Sequence, residues 1–427
     1  MISNTSTSVK YAQNTTFARW AGVSFGCYLF TIYFGTSLPF QDASADTGDA
    51  NIFNQLLALL YVISFLSLWG KQDEVFAIIR REKFLSMLMI WALFSVFWSP
   101  QGIVSLKRWI GFFGEIIICL AALVHFRWSE VALRYFKAVL CLYLPLTILS
   151  VLFIHEAVQW EFPAWRGLEI TKNNLGQVAV FSTVILFSVI GFHTEVKHNT
   201  LHYILLGCAL ACLIGARSTT SMLIALFLLA LFLTQKAGVV LKHKLVVRFY
   251  IVALLATSGA IVTIVYVFSP ELIGSFFGFF GKDLTFTGRV DLWAAILQMT
   301  EGRSLFGWGI GGFWIMDASH LAPVFEQFVW MPNQAHQGYI DVYNQLGVVG
   351  ISLLLAGIGW YFFSLSRLQR KHVWHWVFIG LIILNLQESA FLRPRHFSNF
   401  LFIFCYLALF TDAVKESRLL KNETQHF

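Results

Sequence analysis

The chain of 427 residues is too apolar to fold as a soluble domain. Hydrophobic residues make up 57% of it and charged residues only 12%, about half the charged share of a soluble protein. The net charge of +7 does not indicate nucleic acid, because the basic residues lie in short segments between apolar runs, as in membrane proteins. All six cysteines lie inside apolar runs, so they predict neither a disulfide framework nor a metal site.

The apolar runs predict about twelve transmembrane helices, since a helix needs about twenty apolar residues to cross a bilayer. The first run follows a polar tail and predicts a permanent helix rather than a cleaved signal peptide. The fold class is therefore predicted to be all-α, a polytopic membrane protein that forms one domain over residues 1–427. The candidate spans are 20–40, 52–69, 84–98, 109–124, 138–154, 174–192, 203–216, 221–235, 249–268, 346–365, 374–391 and 397–412.

Lysine and arginine residues set the predicted orientation of these helices. With a cytoplasmic N-terminus, about two thirds of the 30 basic residues fall in inner segments. The first outer loop then carries the acidic charges of Asp42, Asp46 and Asp49. This bias predicts that both termini are cytoplasmic.

The longest interruption between apolar runs, 269–345, is an outer loop in this orientation. It is too long for a simple connection and contains helical patterns of its own. Thr287 is a candidate cap for a helix beginning near Arg289, and a second short helix is predicted within 332–347. The glycine-rich turn at 306–313 lacks the preceding strand and the following lysine of a nucleotide-binding loop.

Basic residues on the predicted outer side are the first candidates for a site. A cation near hydrocarbon is costly unless it is paired or faces a cavity. Arg217 lies in a very short connection between two apolar runs, so we expect it to have a function. Guanidinium groups match phosphate oxygens bidentately, which predicts a lipid-linked phosphate as the ligand. Snorkelling to lipid headgroups is an equal alternative for the other outer cations, Lys107, Arg108, Arg393 and Arg395.

His336 is the candidate general base. We predict it in the first turn of its helix, where the positive helix end and nearby arginines disfavour imidazolium, and a base needs a neutral imidazole. Tyr339 and Tyr343 would then share its helix face. A loop histidine with local hydrogen bonds is the stronger reading on spacing alone, and His320 and His396 are weaker candidates.

Lys172 and Asn173 are donors at the outer start of another helix, a position that favours anions. Glu169 is the carboxylate close to them in this segment, and capping with general loop polarity is the alternative explanation. Outer tryptophans form an interfacial belt or stack on sugar rings, and the belt is the commoner reading. They are Trp160, Trp165, Trp308, Trp314 and Trp330.

Several motifs together resemble the O-antigen ligase and O-antigen polymerase superfamily of bacterial glycosyltransferases. In chain order they are Arg217-Ser218 between two apolar runs, Thr287-Gly288-Arg289 followed by Trp293, the glycine-rich turn, and Ala335-His336 with Tyr339 and Leu346-Gly347. The runs at 172–176 and 332–339 are most similar to the exopolysaccharide-polymerase branch. Gln337 stands where ligases more often have asparagine.

This resemblance implies a fold similar to class C glycosyltransferases and an inverting transfer without metal or cofactor. The implied donor is an undecaprenyl-pyrophosphate-linked glycan at the periplasmic face of the bacterial inner membrane, and a chain-length regulator is an implied partner. The functional residues of the family fall on Arg217, Arg289 and His336. The residues expected to bind pyrophosphate or glycan are Arg289, Lys172, Asn173, Arg108, Lys107, Arg393, Arg395 and Tyr339, with His336 and Arg217 as catalytic residues.

Three functions follow as alternatives. We favour a polymerase that joins lipid-linked repeat units, on the basis of the Lys172-Asn173 segment and Gln337. A ligase would instead use lipid A-core as the acceptor. A flippase or transporter would place its polar groups near the membrane midplane, whereas the charges here gather at the outer edge, with Glu115 as the main exception. Membrane lipids are expected partners in each case, and nucleic acid is not.

Overall fold

The computed structural model describes residues 15–35, 52–160, 163–192, 200–241, 289–315, 319–328, 332–368 and 374–424. In chain order its α-helices are α1 (Thr15–Phe34), α2 (Ile52–Ser67), α3 (Gln72–Glu82), α4 (Phe84–Phe94), α5 (Gly102–His125), α6 (Ala132–Phe153), α7 (Lys172–Phe192), α8 (Thr200–Gly215), α9 (Thr219–Leu241), α10 (Arg289–Thr300), α11 (Ala322–Gln327), α12 (Gly338–Arg367), α13 (His375–Leu384) and α14 (Phe397–Thr424).

Within the described residues the fold is helical, as predicted, apart from one very short antiparallel hairpin. Its strands are β1 (Val158–Gln159) and β2 (Ala164–Trp165). Each predicted span within the described residues contains a helix, and the predicted span at 249–268 lies outside them. Within the described part of the chain, the helices long and apolar enough to cross a membrane are Gly102–His125, Ser129–Phe153, Gly338–Arg367 and Phe397–Glu423. The chain is therefore a helical membrane protein, and the number of about twelve spans remains a prediction.

Helix α14 forms the centre of the helix assembly. Its most apolar stretch is 100% buried, against 33% for the corresponding stretch of α12. Aromatic rings join it to its neighbours, with Phe404 lying 5.5 Å from Phe25 of α1 and 4.8 Å from Trp374 at the start of α13, measured between ring centroids. Such close packing holds membrane helices together, because lipid removes most of the hydrophobic driving force between them.

Helix α3 was not among the predicted elements, because its sequence is too charged for a span. One side of it carries Glu74, whose carboxylate lies 3.9 Å from Lys415 Nζ and 3.6 Å from Arg418 Nη1. These ion pairs fix α3 against the C-terminal part of α14. The charged segment between α2 and α4 therefore forms a helix over Gln72–Glu82.

Helix α12 is interrupted at Gly347, which has φ 67° and ψ −166°. A Cβ at this position would overlap the Leu305 carbonyl and lie 2.6 Å from the Phe306 nitrogen. Immediately after the break, the Val348 N–H donates to Ser304 O at 2.8 Å. The break thus lets the glycine-rich turn pack directly on the α12 backbone. The predicted short helix does end at this glycine.

We expect Gly347→Ala to destabilise the protein. An L-residue with this combination of φ and ψ, which is almost confined to glycine, costs about 1–3 kcal/mol, and the added methyl group must also displace the backbone at Leu305. Gly359→Ala in the same helix is the matched control, because nothing lies within 4 Å of a Cβ there and alanine is favoured over glycine in a helix by about 0.5–1 kcal/mol. Thermal unfolding in detergent, followed by tryptophan fluorescence, should separate the two variants. Equal unfolding temperatures would show that the break is not required.

The segment that follows the undescribed residues 242–288 has a small apolar core of its own. This core joins α10, the residues after the glycine-rich turn, α11 and the chain just before α12. Its members are Leu292, Ile296, Phe313, Trp314, Leu321, Val324, Phe328 and Ala335. Because Ala335 belongs to this core, the neighbouring His336 is held by packed structure rather than by an open loop.

Candidate functional site

Four separate segments of the chain meet around Glu388. This residue lies in the turn 385–396 between α13 and α14 and is 7% exposed. Its Oε1 accepts a hydrogen bond from Asn173 Nδ2 at 3.2 Å and lies 3.6 Å from Arg289 Nη2. Its Oε2 lies 3.6 Å from His336 Nδ1. Three residues that the sequence selected separately are therefore joined by one carboxylate that it did not select.

The neighbours of Glu388 keep it ionised despite its burial. Burial alone would raise the pKa of this carboxyl, but the nearby His336 ring and the positive charge of Arg289 outweigh it and lower the pKa of Glu388. A buried charge without such partners would cost several kcal/mol, by order of magnitude. Arg289 also donates to the Gln387 carbonyl, so its guanidinium is anchored to the same turn.

His336 precedes helix α12 and does not belong to its first turn. It has φ 51°, and the helix begins at Gly338, capped by Gln337 Oε1, which accepts from the Ile340 N–H at 2.6 Å. The predicted helical position of His336 was therefore wrong, and so was the shared face with Tyr339. The cause is the cap Gln337, which lies directly before the helix and three residues before Ile340, whose N–H it accepts. Glutamine is not among the residues that usually cap a helix, so the sequence pattern does not indicate this start.

Contacts with the turn 385–396 hold the chain in this non-helical path. The Gln337 N–H donates to Ser389 Oγ at 3.0 Å, and the Gly338 N–H donates to Asn385 O at 2.8 Å. The backbone just before His336 is fixed from the other side, since Trp293 Nε1 of α10 donates to Ala335 O at 2.8 Å.

Asp341 in the first turn of α12 completes this support. Its carboxylate accepts from Trp314 Nε1 at 2.7 Å and from the Ala335 N–H at 3.2 Å. Tyr339 lies elsewhere, because its hydroxyl donates to Ile382 O at 2.9 Å and its ring packs on Phe391 at 5.3 Å. The structure therefore puts Tyr339 beside α13 rather than among the groups around Glu388.

Gln334 links His336 to another predicted cation. Its Nε2 lies 3.2 Å from His336 Nδ1, and its Oε1 accepts a hydrogen bond from the Arg393 guanidinium. Nδ1 of His336 thus has two polar neighbours of opposite kind, an amide and a carboxylate.

Arg217 lies close to the start of α7. A Cβ at Gly176 would be 2.6 Å from Ser218 Cβ, so the first turns of α7 lie directly against the connection that carries Arg217. Burial and the positive charge of Arg217 lower the pKa of Lys172, so the two cations lie near each other. Asn173, next to Lys172, reaches the buried carboxylate. Arg217 is exposed, and its guanidinium makes no hydrogen bond or ion pair with another described residue.

Two more predicted cations lie at the start of α5. The side chain of Arg108 lies against Gly311 of the glycine-rich turn, where a Cβ would overlap it. Gly311 has φ 65°, and its N–H donates to Gln345 Oε1 at 2.7 Å. Lys107 is exposed on the same helix. The glycine at this point of the turn is therefore required by both its backbone angle and the neighbouring arginine.

Arg395 is positioned by a buried carboxylate of α5. Its backbone N–H donates to Glu115 Oε1 at 2.6 Å, and the same carboxylate accepts from Tyr28 and Asn399 at 2.7 and 2.6 Å. Pro394 packs on Gly111, one turn before Glu115, where a Cβ would lie 3.0 Å from the proline ring. Glu115 therefore fastens the turn 385–396 to α1, α5 and α14.

We expect Glu115→Ala to lower the free energy of unfolding by about 3–5 kcal/mol, because it leaves two buried donors and the part-buried Arg395 N–H without their acceptor. Glu115→Gln retains an acceptor oxygen and should lose less. Glu423→Ala, at an exposed carboxylate near the end of α14, is the control for removing an acid. Denaturant unfolding of the detergent-solubilised protein measures all three. A Glu115→Ala midpoint equal to that of Glu423→Ala would contradict a fastening role.

Three predicted site residues share an uncommon backbone conformation. Arg217, His336 and Arg395 have φ of 47°, 51° and 68°, in the left-handed region that residues other than glycine rarely adopt. Such strain persists only where surrounding contacts impose it, and it concentrates at functional sites. The two other described non-glycine residues with positive φ are Lys83 and Leu392, and Leu392 belongs to the same turn as Arg395.

The two weaker histidine candidates, His320 and His396, are packed among other residues of the fold. His320 stacks on Trp308 at 4.6 Å between ring centroids, and its Nε2 lies 2.8 Å from Phe313 O. His396 lies near the Glu388 carboxylate. Burial, with the positive charge of Arg393, lowers the pKa of His396 to about 3, so this ring is neutral at physiological pH.

The outer carboxylate and tryptophans selected from the sequence are mostly built into the fold. Glu169 accepts from Tyr143 at 2.6 Å, and the carboxylate that Asn173 binds is Glu388. The Trp165 ring packs where a Cβ on Gly215 would overlap it. Trp160 is exposed at 58%, and Trp330 lies outside the described residues.

Comparison with known proteins identifies relatives for most of the chain. Residues 204–355 match the O-antigen ligase family, and this range contains Arg217, Arg289 and His336. The exopolysaccharide production protein ExoQ of Rhizobium meliloti (strain 1021) is 25% identical over 332 residues, which covers 74% of each chain.

Proposed function

Because the resemblance to the O-antigen ligase and O-antigen polymerase superfamily is confirmed, we propose that this glycan-processing enzyme joins lipid-linked repeat units into polysaccharide. The donor would be an undecaprenyl-pyrophosphate-linked glycan, and the acceptor a second such unit. The observation that carries the proposal is the convergence of Asn173, Arg289 and His336 on one buried carboxylate, beside the exposed Arg217. Neither metal nor cofactor takes part in the proposed reaction.

His336 takes the proton of an acceptor sugar hydroxyl in this reaction. The hydroxyl oxygen attacks C1 of the donor sugar from the face opposite the pyrophosphate, and the C1–O bond to the pyrophosphate breaks. The electron pair of that bond leaves with the pyrophosphate, which inverts the configuration at C1. A diphosphate is a good leaving group, so no strong acid is needed. A site rich in arginine, and without a pair of free carboxylates among the residues that the structure describes, fits this chemistry.

Arginine stabilises the charge that develops on the leaving group. Arg217 and Arg289 are the primary candidates, because Arg217 offers an exposed guanidinium and Arg289 is anchored beside His336. The remaining outer donors are assigned to pyrophosphate or glycan binding around them. They are Lys172, Asn173, Lys107, Arg108, Arg393 and Arg395.

The polymerase is favoured over the ligase by the likeness to an exopolysaccharide production protein, by the Lys172-Asn173 segment and by Gln337. The ligase alternative, with lipid A-core as acceptor, is supported by the O-antigen ligase match at 204–355. Both would use the same donor, so the groups around His336 do not distinguish them.

A flippase or transporter of lipid-linked glycan is the non-enzyme alternative. Transporters bind substrate with polar groups near the midplane, on broken helices. The proposed site instead uses groups at helix ends and in turns. Both carboxylate oxygens of Glu115 within α5 accept hydrogen bonds from the protein itself. The enzyme is therefore favoured.

Polysaccharide profiling of a deletion strain complemented with the wild-type chain tests the proposed function. Restored long polymer, against single lipid-linked units in the deletion strain, supports the polymerase. Polymer that accumulates on its lipid carrier in the deletion strain, without reaching lipid A-core, identifies a ligase. Units that stay in the cytoplasmic leaflet of the deletion strain identify a flippase.

We further propose that the site faces the periplasm and that both termini are cytoplasmic, with 269–345 as a periplasmic loop of the single domain 1–427. Labelling of Arg217→Cys and His336→Cys variants with a membrane-impermeant maleimide in intact spheroplasts tests this orientation. Protection of either cysteine until the membrane is opened would contradict it.

A further inference from the structure

The two neighbours of His336 Nδ1 demand opposite protonation states of that nitrogen. Gln334 Nε2, at 3.2 Å, is an amide nitrogen and can only donate. Glu388 Oε2, at 3.6 Å, is an ionised carboxylate oxygen and can only accept. A hydrogen bond from Gln334 requires an unprotonated Nδ1, which puts the proton of the neutral ring on Nε2. A hydrogen bond to Glu388 requires a protonated Nδ1, which leaves the lone pair on Nε2.

Both neighbours are held in place by other residues. Arg393 donates to Gln334 Oε1, which fixes the amide with its nitrogen toward the histidine. Asn173 and Arg289 engage Glu388 Oε1, which leaves Oε2 for His336. The contest is therefore between two oriented groups rather than between mobile side chains.

The two tautomers of the neutral His336 ring differ in whether they can serve as a general base at Nε2. A general base needs a lone pair on the nitrogen that receives the proton, and Nδ1 already faces the protein, so the reacting nitrogen is Nε2. Hydrogen bonds to a charged acceptor are about twice as strong as neutral ones. Once Nε2 has taken a proton, Nδ1 carries one too, and only the carboxylate can then bind it.

We propose that Glu388 is a positioning residue that holds His336 in the Nδ1-protonated tautomer and stabilises the imidazolium formed during glycosyl transfer. The inference rests on the proposed function, since it assigns Nε2 as the base. The acceptor hydroxyl proton moves to Nε2, the Nδ1 proton stays on the ring facing Glu388, and the bond changes at C1 follow as described. Gln334 favours the opposite, inactive tautomer.

The test is Glu388→Gln, measured by turnover of a lipid-linked repeat unit with the purified full-length protein. Glutamine can keep the Oε1 contacts with Asn173 and Arg289, but it presents an amide nitrogen to Nδ1 and so enforces the wrong tautomer. We expect kcat to fall about 10²–10⁴-fold, the range seen when the carboxylate of a histidine dyad or a base is lost. The donor KM should change much less, because the amide keeps the neighbouring contacts.

Two companion variants separate positioning from simple structural damage. In a His336→Ala background, Glu388→Gln should cost no more than about threefold further, because the residues act as a unit. Gln334→Met should cost at least about tenfold less than Glu388→Gln, because it removes the competing donor. If Glu388→Gln does not fold, Glu388→Asp and Glu388→Asn provide an equally sized pair that differs only in charge, with the aspartate variant expected to be the more active.

Three results would overturn the inference. They are a Glu388→Gln variant with turnover close to wild type, a full additional loss in the His336→Ala background, and a Gln334→Met loss larger than that of Glu388→Gln. Failure of the proposed function looks different, because the wild-type protein itself would then not turn over the lipid-linked unit. Failure of the base assignment alone would leave His336→Ala with wild-type turnover. An inactive His336→Ala variant together with an active Glu388→Gln variant would reject the positioning role of Glu388 and leave the proposed function intact.

Discussion

His336→Ala is expected to lower polysaccharide synthesis about 10²–10⁴-fold, the contribution of a positioned general base. Alanine cannot take the proton from the hydroxyl of the acceptor sugar. Glu388 keeps its contacts with Arg289 and Asn173. The protein should therefore still fold and still bind the donor. Turnover of a lipid-linked repeat unit by purified protein gives the size of the loss, and product length on a gel shows whether single units accumulate.

The control for His336→Ala is His155→Ala, which removes an exposed histidine on the predicted outer side. His155 stacks on Trp160 at 5.1 Å between ring centroids and has no contact with the turn that carries Glu388 in the described structure. It should retain turnover within about threefold, as for a surface substitution away from special features. Wild-type activity of His336→Ala would remove the base from the mechanism.

Arg217→Ala is expected to lower kcat/KM about 10²–10³-fold, the usual effect of removing one donor aimed at developing negative charge. The exposed guanidinium has no ion-pair partner to lose in the described structure, so the change should act on substrate rather than on folding. Arginine and alanine both carry a Cβ, so each is strained to the same extent by the backbone φ of 47° at this position. The substitution therefore does not change the backbone strain. Arg217→Lys should recover part of the loss, because a lysine keeps the charge but not the bidentate geometry.

Arg166→Ala is the matched control for Arg217, since both are outer arginines by the predicted orientation. The Arg166 guanidinium is engaged by backbone carbonyls of Glu156 and Ile170, and its loss should affect the hairpin rather than turnover. Membrane levels and thermal unfolding of each variant are measured in parallel. Equal kcat/KM for Arg217→Ala and Arg166→Ala would exclude Arg217 from pyrophosphate binding.

Much of the helical architecture could be predicted, because membrane-spanning helices are encoded locally in long apolar runs. Helix α3 escaped prediction because what stabilises it is non-local. Its charged side pairs with Lys415 and Arg418, more than 300 residues further along the chain. No local pattern distinguishes such a segment from a charged loop.

The candidate site shows the same division. Arg217, Arg289 and His336 were selected by residue type, order and resemblance, and the structure brings Arg289 and His336 together at one carboxylate. Glu388 itself carried only a weak signal, a lone acid a few residues before Arg393 in an outer turn. Its importance comes from contacts with Asn173 and with two other distant segments, which no local reading of the sequence supplies.

The central position of α14 has a consequence for how the protein is made. Ribosomes add about 5–20 residues per second, so α5 enters the membrane on the order of tens of seconds before α14 is available. During that interval the Glu115 carboxylate can accept a hydrogen bond from Tyr28 of α1. Its two other donors, Asn399 and the Arg395 N–H, have not yet been synthesised. An ionisable group inside the bilayer is costly without such partners. We therefore expect the insertion machinery to keep the Glu115 carboxyl away from lipid until α14 is inserted. The hydrogen bonds from Asn399 and the Arg395 N–H then form as the last step of folding.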